Sequence, residues 1–181
     1  MTTEPLVEAL LAVSRSMVAL AARNLATLGA DVTLPQYRTL VLLAGGGPQR
    51  SAVLAKELGV APSTLTRMCD RLVRKSLVQR FHRYNDRRSI WLGLTPEGRD
   101  LVGVVMGARR REIEAIVRTS TLHATDADLA LLHAFVRAAG EVPDEEWWRN
   151  WRVSADPVDG AQPMHPSRNG GPFTGLRAPA R

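Results

Sequence analysis

Ser63, Arg67, Asp70, Arg71 and Arg74 project from one side of a helical wheel drawn at 100° per residue, while Leu65, Met68, Cys69 and Leu72 gather on the other. The N-terminal turns of this stretch also offer Thr64 and Thr66. A helix so arranged can set its positive dipole end and its hydroxyls against phosphates while Arg67 reaches base edges in a major groove. For an isolated helix, a solvated polar face is the plainer reading. A second group follows closely: Arg83, Asp86, Arg87 and Arg88 crowd one polar segment. Adjacent guanidiniums repel one another unless a polyanion is present. Asp86 can hold one of them by a charge-assisted hydrogen bond, aiming it as a probe for the narrow, negative minor groove of A·T-rich DNA.

Other chemistries find little support. No nucleophile is paired with a base, and Gly45-Gly46-Gly47 lacks the Lys and Ser/Thr of a phosphate loop, so no catalytic residue is assigned and the chain is not expected to be an enzyme. His82, His123, His133 and His165 are scattered; His123 with Asp126 reads better as a surface or capping pair than as metal ligands. No metal site and no cofactor are expected. The single cysteine, Cys69, cannot form an intramolecular disulfide, and its place on the apolar side of the helix marks it as an inert core thiol.

The 181 residues are 45% hydrophobic and 23% charged, ordinary globular usage. The 24 basic residues exceed the 18 acidic ones by 6, and Lys56 and Lys75 are the only lysines, so the positive charge is guanidinium, the group suited to forked contacts with phosphate and guanine. That balance favours double-stranded DNA as partner. Glu4 and Glu8 stand where a signal peptide is basic, and Arg15, Arg23, Arg38 and Gly45 interrupt the apolar stretches, so a cytoplasmic protein without membrane insertion is expected.

The elements that position these residues follow from periodicity and punctuation. Leu6, Leu10, Val13, Met17, Leu20 and Leu25 give a helix from Pro5 to Leu28, ended by Gly29. Thr33 can cap a second over Leu34 to Ala44, before Gly45 to Pro48. Ser51 to Leu58 makes a third, ended by Gly59, and Pro62 opens a fourth that runs to about Ser76. The last two form a helix-turn-helix. Leu77 to Phe81 and Ser89 to Leu94 are β-prone runs about a tip, His82 to Arg88. Thr95 and Pro96 open a fifth helix reaching about Thr121, too long to bury its apolar stripe in one small subunit, and a sixth covers roughly Asp126 to Ala139. The first, fifth and sixth helices can pack against a second copy of the chain.

The runs Leu58-Gly-Val-Ala-Pro-Ser-Thr-Leu-Thr-Arg67, Asp70-Arg71-Leu72 and Asp86-Arg-Arg-Ser89, then Leu94-Thr-Pro-Glu-Gly98, closely resemble the MarR family of bacterial transcription regulators. The resemblance covers about Pro5 to Ala139. It implies a mainly α fold with a small β-hairpin, a winged helix-turn-helix with a helical dimerisation region, acting as a homodimeric repressor of a palindromic operator, released by a small ligand. On matching positions, Ser63, Thr64, Thr66 and Arg67 face DNA, and Arg88, braced by Asp86, enters the minor groove; Arg74 and Arg87 add positive charge. Arg71 stands at a common family position, where a salt bridge with Asp70 or Glu57 competes with phosphate contact. Ala52 departs from the Ser or Thr often found at the start of the third helix, leaving Ser51 as its cap. The chain also lacks the reactive cysteine that peroxide-sensing members carry near the start of the first helix.

The expected organisation is a winged helix domain over 1–140, with its DNA-binding part about 33–94 and dimerisation helices about 5–28 and 95–139, followed by a Trp-containing patch and tail over 141–181. In ligand-responsive relatives a pocket lies where the first, second and fifth helices meet; Arg15, Arg23, Tyr37 and Arg38 are polar candidates there for a small aromatic or anionic effector, each equally readable as a snorkelling or dimer-surface residue. Trp147, Trp148 and Trp151 are expected to pack on their own domain or on the dimer partner, and a peptide motif for another protein is the alternative. Ser154 to Arg181 is Pro/Gly/Ser-rich and expected to be disordered. A winged-helix interaction module that has lost DNA binding is the competing function; intact Arg67, Asp86 and Arg88 argue against it.

Overall fold

A computed structural model of the chain describes residues 3–83, 86–120, 122–153 and 161–163. Helix α1 (Glu4–Thr27) ends before Gly29, which takes a left-handed φ of 61°. Helix α2 (Leu34–Gly46) begins with a reciprocal cap: Gln36 N–H donates to Thr33 Oγ1 at 3.4 Å, and Thr33 N–H to Gln36 Oε1 at 3.0 Å. Strand β1 (Gln49–Arg50) leads into α3 (Ser51–Glu57) and α4 (Pro62–Arg74), the helix-turn-helix. Strands β2 (Val78–Arg83) and β3 (Asp86–Leu94) form the hairpin, followed by α5 (Pro96–Thr119), α6 (Asp126–Ala138), α7 (Asp144–Val153) and β4 (Ala161–Pro163). The sheet is antiparallel throughout, in the order β1-β3-β2-β4. The architecture is thus mainly α with a small sheet, a winged helix.

Several boundaries moved, each for a physical reason. Ser51 does not cap α3: the cap position is Arg50, with no side-chain bond, because Ser51 is already helical. His82, Arg83, Asp86, Arg87 and Arg88, expected in a tip, lie in strands. Arg83 pairs with Asp86 after a register shift beyond Phe81, and such backbone pairing leaves no hydrophobic alternation to read. The Trp patch is helix α7, where acidic Asp144, Glu145 and Glu146 occupy the first turn and favour its dipole. Ala161–Pro163, inside the stretch expected to be disordered, pairs with Phe81 to Arg83 and covers the otherwise open edge of β2. The rest of that expectation, over 154–160 and 164–181, lies outside the described residues. Helix α1 is long and apolar enough, by length and composition alone, to cross a membrane; sparse charges such as Arg15 do not interrupt it as the sequence reading assumed.

The core lies where α2, α3, α4, α5 and the sheet meet. Leu40, Leu54, Leu65, Leu72, Leu92 and Val102 are all buried there, each worth about 1.5 to 3 kcal/mol against exposure. One junction orders these elements. After α4, Ser76 takes a left-handed φ of 56°, so that Leu77 N–H returns to the Leu72 carbonyl at 3.0 Å. The Thr95 hydroxyl donates to the Ser76 carbonyl at 2.5 Å, and Thr95 N–H to the Leu77 carbonyl at 3.2 Å. The same hydroxyl accepts from Gly98 N–H at 3.0 Å, capping α5. A Cβ on Gly98 would run into the Leu77 carbonyl oxygen, so only glycine lets α5 start this close to β2.

Ser76→Gly is expected to raise the unfolding free energy by about 1 kcal/mol by relieving the left-handed strain. Gly98→Ala should lower it by about 1 to 3 kcal/mol through overpacking against backbone. Urea midpoints measure both; equal midpoints in all three proteins would contradict the junction's role.

Candidate nucleic-acid interface

Helix α4 divides its sides as its sequence demands. Leu65, Cys69 and Leu72 are buried, and Met68 packs against them, its sulfur 3.4 Å from the Thr39 hydroxyl. Ser63, Thr64, Thr66, Arg67, Arg71 and Arg74 are exposed. Ala61 supplies no capping side chain, and Pro62 has no N–H to leave unsatisfied. The Thr66 hydroxyl donates back to the Pro62 carbonyl at 2.9 Å, and Arg74 Nε to that of Asp70 at 3.4 Å. The side chains of Arg67 and Arg71 have no hydrogen bond or ion pair among the described residues. The salt bridge weighed for Arg71 is therefore not formed, because Asp70 is taken by Arg80 of β2 at 2.7 Å. Arg80 also donates to the Thr66 carbonyl at 3.3 Å. It binds recognition-helix backbone and side chain to the wing strand, and by neutralising Asp70 it leaves the outer face of α4 net basic.

At the wing, Asp86 braces a different arginine from the one expected. Its carboxylate accepts from Ser89 N–H at 3.2 Å and lies 2.9 Å from Arg50 Nη2, a charge pair whose N–H groups miss hydrogen-bond alignment. Arg88, exposed in β3, is not held by it. The reason is topological: β1 pairs with β3, Arg50 opposite Trp91, and carries its guanidinium to the Asp86 end of the hairpin. The hydrogen bonds from Ser89, and after them the charge of Arg50, outweigh desolvation and hold the Asp86 carboxyl below its ordinary value. Arg83 stacks 3.8 Å over the Trp91 ring, with Arg50 at 5.5 Å. The side chain of Arg87 lies outside the described residues. Arg50 and Arg80 escaped the sequence reading because their partners are set by the pairing of β1 with β3 and by the packing of α4 on β2, and no local spacing rule connects residues 10 or more apart.

The effector candidates do not share one set of contacts. Tyr37 is buried, its hydroxyl has no hydrogen-bond partner among the described residues, and burial pushes its phenol pKa up, with Arg109 opposing. Arg38 pairs with Glu141, and Arg23 with Glu112 at 3.0 Å; Glu112 also accepts from the buried Asn24 at 2.6 Å. Arg15 is exposed on α1. Trp147 is buried in the core, with Trp148 and Trp151 packed against it. The cluster therefore packs on its own domain.

Burial also pushes the Cys69 thiol up to about 11. Cys69 should therefore stay unreactive toward a disulfide reagent at neutral pH in the native protein and react at once in denaturant; rapid labelling of the folded chain would contradict its placement.

The chain matches the MarR family model over residues 32–90, from the start of α2 to the wing. It is 39% identical to the Mycobacterium tuberculosis protein RV1404, covering 80% of this chain and 98% of that one, with a TM-score of 0.72. The HTH-type transcriptional repressor MdtR of Bacillus subtilis is 42% identical over 67 residues, 37% of this chain and 43% of MdtR. The multiple antibiotic resistance protein MarR of Salmonella typhimurium is 37% identical over 68 residues, 38% of this chain and 47% of that protein. The chain thus spans about half the length of the curated relatives it matches. With a relative matched over nearly its full length and the family model on the reader itself, the chain belongs to the MarR family.

Proposed function

We propose that this protein is a homodimeric, cytoplasmic repressor that binds a palindromic DNA operator and is released by a small aromatic or anionic molecule. One observation carries the reading: Arg67 and Arg71 stand uncompensated on a helix that Arg80 fastens to the wing. Ser63, Thr64 and Thr66 line its entry, Arg74 extends the basic face, and Arg88 and Arg87 on β3 serve the neighbouring minor groove beside Asp86. The bases are read by Arg67, the phosphates by the hydroxyls and remaining guanidiniums.

The dimer is supported by apolar surface that no described residue covers. Helix α6 buries no residue in the single chain, and Leu129, Leu132 and Phe135 are each almost half exposed. Val13 and Val18 of α1 and Val117 of α5 are similarly bare. A two-fold pairing of these helices removes that surface from water and presents two recognition helices to two half-sites, about one helical turn apart. The DNA-binding part over about 33–94 then hangs from dimerisation helices over about 5–28 and 95–139. We assign effector capture to Tyr37, whose buried hydroxyl has no hydrogen bond among the described residues, with Arg15 and Arg38 as the other candidates.

Sequencing the genomic fragments retained by the protein at moderate salt identifies the operator. If a dimer neutralises on the order of eight phosphates, log affinity should fall against log salt with a slope near about −7; a salt-independent affinity would sink the DNA reading. Arg67→Ala should cost about 1 to 3 kcal/mol and relax preference at one base pair. Arg88→Ala should weaken binding most at sites with A·T-rich flanks. Arg50→Ala and Asp86→Ala should each do smaller damage, since each breaks the contact that braces the hairpin. A dimer equally tight on single half-sites would contradict the palindrome.

A further inference from the structure

The C-terminal helix α7 crosses the seam between the two functional parts. Its Trp147, 8% exposed, seats on α2 at Gly45, where a Cβ would lie 2.5 Å from the indole Nε1 and 2.7 Å from Cδ1. Only glycine at that position admits the ring. Trp151 seats on α5, its ring within ordinary contact of Gly103 and under the Arg99 guanidinium, 4.0 Å from the centroid. Arg99 also donates to the Trp151 carbonyl. The two indoles stack at 5.5 Å and 22°, so what α2 holds and what α5 holds are in direct contact. Trp148 closes the group edge-on to Trp147 at 5.0 Å and donates to Asp144 at 3.1 Å. Beyond the rings, Arg110 of α5 lies 3.9 Å from Asp144, and Arg137 of α6 lies 3.6 Å from Glu146.

We propose that α7 is a brace that fixes the angle between the DNA-reading part and the α5 shaft, making Trp147 a positioning residue for half-site spacing. The inference rests on the dimeric repressor reading above. Helix α2 packs directly on α4, while α5 runs from the wing toward the proposed dimer surface. A helix of 24 residues is about 36 Å long, so a swing of about 10° at one end moves the other by about 6 Å, nearly two base-pair steps. Interlocked aromatic rings resist such a swing because close packing leaves them no second arrangement of similar energy. Two readers set at one separation gain avidity only on half-sites at the matching separation.

The test uses the full chain and its selected operator, with the half-sites kept and the spacer changed by one or two base pairs either way. Fluorescence anisotropy reads affinity for each duplex and for unrelated DNA. Wild type should lose about a hundredfold off its optimal spacer, the avidity of simultaneous engagement. Trp147→Ala and Gly45→Ala should bind the optimal site more weakly and show a flattened spacer profile, with unrelated-DNA affinity and salt slope unchanged. Loss of stability alone would not flatten that profile. If Trp147→Ala does not fold, Trp151→Ala, at the more exposed end of α7, and Arg99→Gln, its partner on α5, carry the same expectation. Folded, dimeric variants that keep the wild-type profile overturn the inference and leave the repressor reading intact. A wild type with no spacing optimum overturns both.

Discussion

Where α4 ends and α5 begins, the Ser76-Leu77 backbone is gripped from three sides. Leu77 N–H returns to α4, Thr95 takes the carbonyls of both residues, and Gly98 lets the first turn of α5 rest against them. Recognition helix, wing and shaft therefore share one point of origin, where the hydrogen bonds of Thr95 and Leu77 join them. Ser76 tolerates a left-handed conformation there because the tertiary structure over-determines it. The two-groove reading proposed above needs this rigidity, since helix and wing must keep one relative placement.

From that origin the arginines divide into those that hold the structure and those left for a partner. Arg80 holds Asp70 and the Thr66 carbonyl, Arg50 holds Asp86, and Arg99 holds α7. Each uses a carboxylate, a carbonyl or an indole that would otherwise oppose or loosen the basic face. Arg67 and Arg71 keep their full donor set exposed. The composition that looked uniformly basic thus resolves into a scaffold of satisfied guanidiniums beneath a smaller set of free ones, which is what a polyanion requires if binding is to be oriented as well as strong.

Apolar surface is divided in the same way. Helices α2 to α5 and the sheet bury their leucines within the chain, and Trp147 of α7 joins them. Helix α6 and much of α1 bury almost nothing. Those bare helices are the surface that the proposed dimer would bury.

Much of this was legible in the sequence because its signals are local. Thr33, Thr95, Gly29, Gly59 and Pro62 mark helix ends through side-chain oxygens and permitted φ values, and the 3.6-residue period separates Leu65, Cys69 and Leu72 from Arg67 and Arg71. The run from Leu94 to Gly98 likewise announces a junction whose purpose the coordinates supply. What the sequence could not convey depends on which strand lies beside which. The partner of Asp86 is Arg50 because β1 pairs with β3, and that of Asp70 is Arg80 because α4 folds back along β2. The seat of Trp147 on Gly45 joins residues about a hundred positions apart. Local spacing fixes which face of an element a side chain occupies, whereas its partner is chosen by the packing of whole elements, where hydrogen-bond pairing and close contact act between segments with no sequence relation.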